Sequence, residues 1–189
     1  MSSIELFQNK TDCCGCSACY NVCPRKAISM QEDEYGYVYP VIDQDKCVGC
    51  GLCRKVCHYQ ADKELRTPIK AYAAAGKKEE FLKKAASGGM FSLVADKILE
   101  EGGVVFGVAM EYHNNTLIPK HIAVESKEEL FKLQGSKYVQ SFIGNTYAEA
   151  KKYLADGRKV LFSGTPCQIE GLKGYLGREY ENLYTIDII

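Results

Sequence analysis

Hydrophobic and polar positions along this chain follow two different regimes. From residue 71 onward, short apolar runs alternate with stretches in which apolar residues recur every three or four positions. Ala71–Ala75, Val104–Met110, Lys159–Ser163 and Leu183–Ile189 read as strands. Between them Phe91, Val94 and Ile98 keep a helical spacing that Gly102-Gly103 ends, and Ile169, Leu172 and Leu176 mark another helix. Ser126-Lys-Glu-Glu129 and Thr146-Tyr-Ala-Glu149 each fit a capping box ahead of an apolar run. Strands alternating with helices predict an α/β layer around a mainly parallel sheet. The first 62 residues lack that rhythm and hold only short elements, with Tyr37–Ile42 as a strand and Ala27–Met30 as its partner.

The polar segment Gln60–Pro68 separates the regimes, so the expected division is residues 1–62 and 63–189, an α+β chain overall. The chain stops at Thr185-Ile-Asp-Ile-Ile189, an apolar strand pattern without a polar tail, which points to a piece of a longer protein.

Composition narrows the function classes. The 189 residues carry 24 Lys+Arg against 24 Asp+Glu, are 46% hydrophobic and 25% charged, and so can bury a core. A balanced charge removes the electrostatic case for nucleic acid. The longest apolar stretch, near Val104–Met110, is far too short to span a bilayer. The opening MSSIELFQNKTD has no apolar run of the signal-peptide kind, and the expected location is reducing cytoplasm.

Cysteine changes the picture most. Nine of the ten cysteines lie between Cys13 and Cys57, and the tenth is Cys167. The run Cys13, Cys16, Cys19, Cys23 recurs 34 residues later as Cys47, Cys50, Cys53, Cys57. Each copy is CxxCxxCxxxC, and Pro24 follows the first. Such spacing in a chain without an export signal favours metal or redox chemistry over disulfides. Three closely spaced thiolates wrap one face of an iron–sulfur cube, and the fourth completes the other cube. The expectation is two [4Fe-4S] clusters, one held by Cys13, Cys16, Cys19 and Cys57, the other by Cys47, Cys50, Cys53 and Cys23. Zinc is the rival, although four-thiolate zinc sites usually come as two separated pairs. Cys14 falls out of register and reads as a small apolar residue near a cluster. His58, which replaces a second proline, reads as an exposed or neighbouring histidine, the four-cysteine set being complete without it.

Three segments of the second part offer chemistry. Ser87-Gly88-Gly89 precedes a helix, where free amides and the helix dipole favour phosphate; an ordinary cap and turn looks the same. Gly135-Ser136-Lys137-Tyr138, after an expected Glu128–Gln134 helix, supplies a cation and an aromatic face; a polar loop is the plain alternative. Gly164-Thr165-Pro166-Cys167-Gln168 follows a strand, with Thr165 suited to the N-cap, Pro166 to the first helical position and Cys167 to the dipole-stabilised first turn. The carboxyl end of such a strand is where open α/β sheets bind ligands, and a buried cysteine in a tidy turn is the alternative.

Taken together, the cysteine runs with SGGMFSLVADKIL, LQGSKYVQS and VLFSGTPCQIEGLKGYL resemble the coenzyme F(420) hydrogenase/dehydrogenase beta-subunit family from about residue 11 onward. The resemblance implies an iron–sulfur flavoprotein oxidoreductase that binds FAD. It implies electron transfer between clusters and flavin, and hydride exchange with a deazaflavin or another small organic acceptor. It also implies a redox partner protein or hydrogenase/dehydrogenase subunit. By the same resemblance Ser87–Gly89, Gly135–Tyr138 and Gly164–Gln168 line the flavin site, and Cys167 is the one candidate for direct chemistry. A two-cluster electron carrier with an α/β docking domain and no flavin is the alternative.

Overall fold

A computed structural model describes residues 4–60, 67–77 and 79–189. The expected boundary at residue 62 lies outside the described residues. The first part holds α1 (Ala18–Val22), a hairpin of β1 (Ile28–Glu32) and β2 (Val38–Ile42), and α2 (Leu52–Lys55). The hairpin pairs antiparallel from Ile28 opposite Ile42 to Glu32 opposite Val38. Its turn is tied by the Asp33 carboxylate, which accepts the backbone N–H groups of Tyr35 and Tyr37, both at 3.0 Å. Leu6, Ile28 and Cys53 form a small core of its own.

The second part runs α3 (Glu79–Lys83), α4 (Met90–Glu100), β3 (Val104–His113), β4 (Thr116–Val124), a 3-10 helix over Lys127–Lys132, α5 (Thr146–Ala155), β5 (Val160–Gly164), α6 (Pro166–Leu176) and β6 (Leu183–Asp187). The four strands lie in the order β4-β3-β5-β6. β3–β5 and β5–β6 are parallel and β3–β4 is antiparallel, so the sheet is mixed.

Alternation along β3 and β5 sorts side chains onto two faces. Val104, Phe106, Val160 and Phe162 enter one core with Tyr147, Ala150 and Leu154 of α5 and Ile169, Leu172 and Leu176 of α6. Val105, Ala109 and Leu161 enter the other with Ala95, Ile98 and Leu99 of α4 and with Leu130 and Leu133. Cys16, Ala18 and Val56 belong to the first core, so the cysteine-bearing part packs onto the α5–α6 layer. Among the described residues no helix is long and apolar enough to cross a membrane.

Three expectations need correction. Ala71–Ala75 forms no strand: it is exposed, and the sheet ends at β4 on one side and β6 on the other. Alanine-rich backbone has little β preference of its own, and here it finds no ladder to join. Conversely, β4 carried no strand prediction, because Pro119, Lys120 and His121 interrupt its apolar pattern. At an edge a proline costs no ladder bond, and the usable signal was Asn114-Asn115, whose φ values of 46° and 63° suit a two-residue hairpin turn. The capping boxes also shift. Residues 127–132 are 3-10 rather than α, and α5 is capped by Asn145, with the Thr146 hydroxyl donating back to the Ile143 carbonyl at 2.8 Å.

Candidate functional site

Both cysteine runs wind through left-handed residues. Gly15, Ser17, Gly49 and Gly51 have φ between 63° and 73°, a region that glycine enters without strain. The winding brings Cys13, Cys16 and Cys19 into one neighbourhood with Cys57. Burial raises the Cys13 and Cys19 thiols, and their negative neighbours, among them Cys16 and Cys57, raise them further. Cys23, Cys47, Cys50 and Cys53 line a single pocket walled by Ile28 and Ile42. The fourth cysteine of each run therefore lies with the first three of the other. Four thiols around one cavity is a donor set that fits a four-iron cluster. Burial also pushes Cys53 up, a penalty that iron coordination offsets by taking the thiolate form.

The second pocket opens outward, with Cys50 exposed and Val48 and Leu52 uncovered beside it. The first faces the sheet domain. There α6 meets the Cys16 loop without side chains between them. A Cβ on Gly171 would stand 3.1 Å from the Cys16 sulfur, and one on Gly174 only 2.5 Å from the Val56 carbonyl oxygen. The buried Tyr147 hydroxyl lies 2.8 Å from the Cys16 carbonyl and 2.7 Å from that of Gln168, sharing its proton between the two parts.

Cys14 and His58 also sit at this joint. Cys14 is half-buried, its sulfur lies within 4.8 Å of the Cys16 sulfur, and its neighbours Cys16 and Cys167 push its pKa far up. It packs against the core that holds Cys16, as a small apolar residue would. His58 is half-buried rather than exposed. Its Nδ1 is buried without a hydrogen-bond partner among the described residues, and one of its ring nitrogens lies within 4.8 Å of the Cys14 and Cys16 sulfurs. The Cys14 thiol, then His58, hold Cys16 down to about 5.

At the carboxyl end of β5, Thr165 caps α6 with Pro166 in the first turn, and the Thr165 N–H donates to Gln168 Oε1 at 3.0 Å. A Cβ at Gly164 would stand 2.9 Å from that oxygen, so a larger residue there would displace the Gln168 side chain from its place. The Cys167 thiol is held down to about 6, mainly by Cys14 and then by the Thr165 hydroxyl 3.1 Å away.

The fold joins this turn to the segment after Gly135. Gln168 Nε2 donates to the Ser141 hydroxyl (3.0 Å), and Ser141 Oγ lies 3.0 Å from His121 Nδ1. His121 Nε2 lies 3.1 Å from the Ser163 carbonyl, which accepts only if Nε2 carries the proton, so Nδ1 accepts from Ser141. Gln140 reaches the other way and accepts the Val38 N–H of β2 at 3.0 Å. Lys137, expected as a ligand cation, donates to the Gln134 carbonyl at 2.7 Å, and Gly135, Ser136 and Tyr138 are exposed. Ser87–Gly89 lies at the start of α4, on the opposite face of the sheet from α6. Its helix is tied to the Gly135 segment by a bond from Gln134 Nε2 to Ser92 Oγ (3.0 Å). His121, Ser141, Gln140 and Tyr147 carried no signal in the sequence beyond being polar.

Burial lowers His121 to about 4, against an ordinary 6.5. A neutral form favoured by folding stabilises fully above about pH 6.5 and progressively less as pH falls toward 4. That histidine accounts for up to about 3 kcal/mol of acid destabilisation. In His121→Gln, urea midpoints measured from pH 7.5 to 4.5 are expected to fall less steeply than in the parent.

Comparison with known proteins agrees with the cysteine geometry. Residues 12–61 match the 4Fe-4S dicluster domain, and residues 71–145 match the N-terminal region of the coenzyme F420 hydrogenase/dehydrogenase beta subunit. An uncharacterized protein of Methanocaldococcus jannaschii is 25% identical over 90% of this chain and 54% of its own length. The coenzyme F420-dependent sulfite reductase of that organism is 25% identical over 85% of this chain and 24% of its own. An uncharacterized ferredoxin from the same source is 33% identical over 29% of this chain and 70% of its own. The chain thus spans about half of the first relative and a quarter of the reductase. The chain carries 4Fe-4S dicluster sequence in its first part and, after it, sequence that matches the N-terminal region of the coenzyme F420 hydrogenase/dehydrogenase beta subunit.

Proposed function

We propose that the chain is the electron-handling part of an iron–sulfur flavoprotein oxidoreductase. Cys13, Cys16, Cys19 and Cys57 hold one [4Fe-4S] cluster, and Cys47, Cys50, Cys53 and Cys23 hold the other. FAD is bound by Gly164–Gln168 and Gly135–Tyr138, with Ser87–Gly89 contributing from the start of α4. A flavin exchanges a hydride with an organic partner and single electrons with clusters, a combination that side chains do not supply. The acceptor is a deazaflavin or a similar small organic molecule, and a partner subunit or redox protein delivers or removes electrons.

One observation carries this reading: the turn at the end of β5 stands on the helix that packs directly against Cys16. The seam at Gly171 and Gly174 keeps the interval between the sheet's carboxyl edge and the inner cysteine group short. Tyr147 fixes that interval from both sides. The chain's own contribution is positional. Gln168, Ser141 and His121 hold the turn in one arrangement without a charged group, and the exposed Cys50 rim leaves the outer cysteine group open to a protein partner.

Anaerobic purification of the chain tests the reading. It is expected to yield about eight irons and about one extractable flavin per chain. Full iron without flavin after incubation with FAD leaves the two-cluster carrier as the function, and zinc in place of iron removes both.

A further inference from the structure

Charge in the first 62 residues is sorted rather than mixed. They hold 6 Lys+Arg against 8 Asp+Glu, a slight acidic excess, yet residues 13–31 and 46–60, which carry both cysteine runs, contain no acid. Five cations lie in those two segments: Arg25, Lys26, Lys46, Arg54 and Lys55. Lys46 is neutralised by Asp43, 2.7 Å away. The other four are exposed and form no ion pair among the described residues, Arg54 reaching only the neutral Gln60 Oε1 at 3.5 Å. Against them stands one exposed acid of the neighbouring turn, Asp45.

The four cations border the outer cysteine group. Arg25 lines the same pocket as Cys23, Cys47, Cys50 and Cys53, together with Val48 and Leu52. Lys26 follows Arg25 in the chain, and Arg54 and Lys55 follow Leu52 on α2. At the centre Val48 is 58% and Leu52 38% exposed, beside Cys50, the one exposed cysteine. The hairpin acids stand elsewhere. Glu32 is four residues along β1 from the pocket-lining Ile28, about 13 Å away, and Asp33 pairs with Lys10 at 2.8 Å. The inner cysteine group is covered by α6, so the outer one is the accessible end.

We propose that this rim docks a small acidic electron-carrier protein. The carrier seats an apolar centre on Val48 and Leu52 and sets its carboxylates against Arg25, Lys26, Arg54 and Lys55. It gives one electron to the outer cluster or takes one from it, and no bond forms or breaks. Two exposed apolar side chains make a small contact, of the size that transient redox encounters use, so charge complementarity sets the rate and orientation of docking. The proposal rests on the reading of the outer cysteine group as a cluster and deepens it by naming the chemistry of the partner; it does not require a flavin.

The test uses the whole chain with its iron and sulfide, anaerobic and oxidised, titrated calorimetrically with an oxidised flavodoxin as the acidic probe and with a cytochrome c as the basic one. With both proteins oxidised no electron moves, and binding is read by itself. Flavodoxin is expected to bind, and to weaken about tenfold or more as salt rises from about 20 to 300 mM; cytochrome c is expected not to compete for the rim. The double change Arg54→Glu, Lys55→Glu should weaken flavodoxin about tenfold or more with iron content unchanged, and Glu32→Lys with Glu34→Lys should leave its affinity as it was. Where charge reversal costs iron, Arg54→Gln with Lys55→Gln carries the same comparison. Affinity that ignores salt, affinity that survives the loss of Arg54 and Lys55, or competition by cytochrome c overturns the proposal. Zinc in place of iron sinks the cluster reading in the metal analysis, before any titration, and a missing flavin sinks only the flavoprotein reading.

Discussion

Replacing Cys23 with serine is expected to remove about half of the iron, and the half that goes is the cluster assigned to the distant second run. In sequence Cys23 closes the first run, next to Cys19. In space it lines the pocket of Cys47, Cys50 and Cys53. Cys57 does the converse, raising the thiols of Cys13 and Cys19 by its charge. A four-iron cluster missing one thiolate loses an iron or its whole assembly, whereas its neighbour keeps all four ligands. Iron and sulfide analysis with electron paramagnetic resonance of the reduced protein separates the cases. The surviving signal should respond to a further Cys16→Ser change and ignore Cys50→Ser. If it responds to Cys50→Ser instead, each run ligates its own cluster and the crossed assignment is wrong.

Gly174→Val is expected to open the joint between the two parts. An added Cβ would stand 2.5 Å from the Val56 carbonyl oxygen, a backbone atom that cannot rotate away, and valine adds two methyl groups beyond it. Overpacking of this kind typically costs about 1–3 kcal/mol. The strain falls where α6 meets the segment between Cys53 and Cys57, so its effect is local before it is global. Hydrogen exchange at Arg54–Cys57 should accelerate and the Tm should fall. Lys173→Ala, on the exposed side of the same helix, is expected to change neither. Unchanged exchange in Gly174→Val would show that the close approach of α6 does not hold the two parts together.

What could be read from the chain alone was whatever depends on near neighbours in sequence. The CxxCxxCxxxC repeat, the apolar spacing of Phe91, Val94 and Ile98, and the Thr165-Pro166 start of α6 are local patterns. Each obeys a short-range rule of ligation, helix period or capping. The same rules failed where a partner decides the outcome. Ala71–Ala75 looks like a strand until no neighbouring strand is there to pair with it, and β4 looks like a loop until β3 supplies nine paired residues. The three expected flavin segments also gave no hint that Lys137 would turn back onto a backbone carbonyl.

The sequence by itself determined the metal chemistry and the alternation of strands and helices, because thiolate spacing and side-chain period are properties of a short stretch. Only the tertiary structure decided that Cys16 would rest against Gly171 and that Gln168 would reach His121 through Ser141. Such contacts follow from how two layers settle on each other. That is set by the total burial of Phe106, Phe162, Tyr147 and their neighbours, and no single residue type or interval announces it.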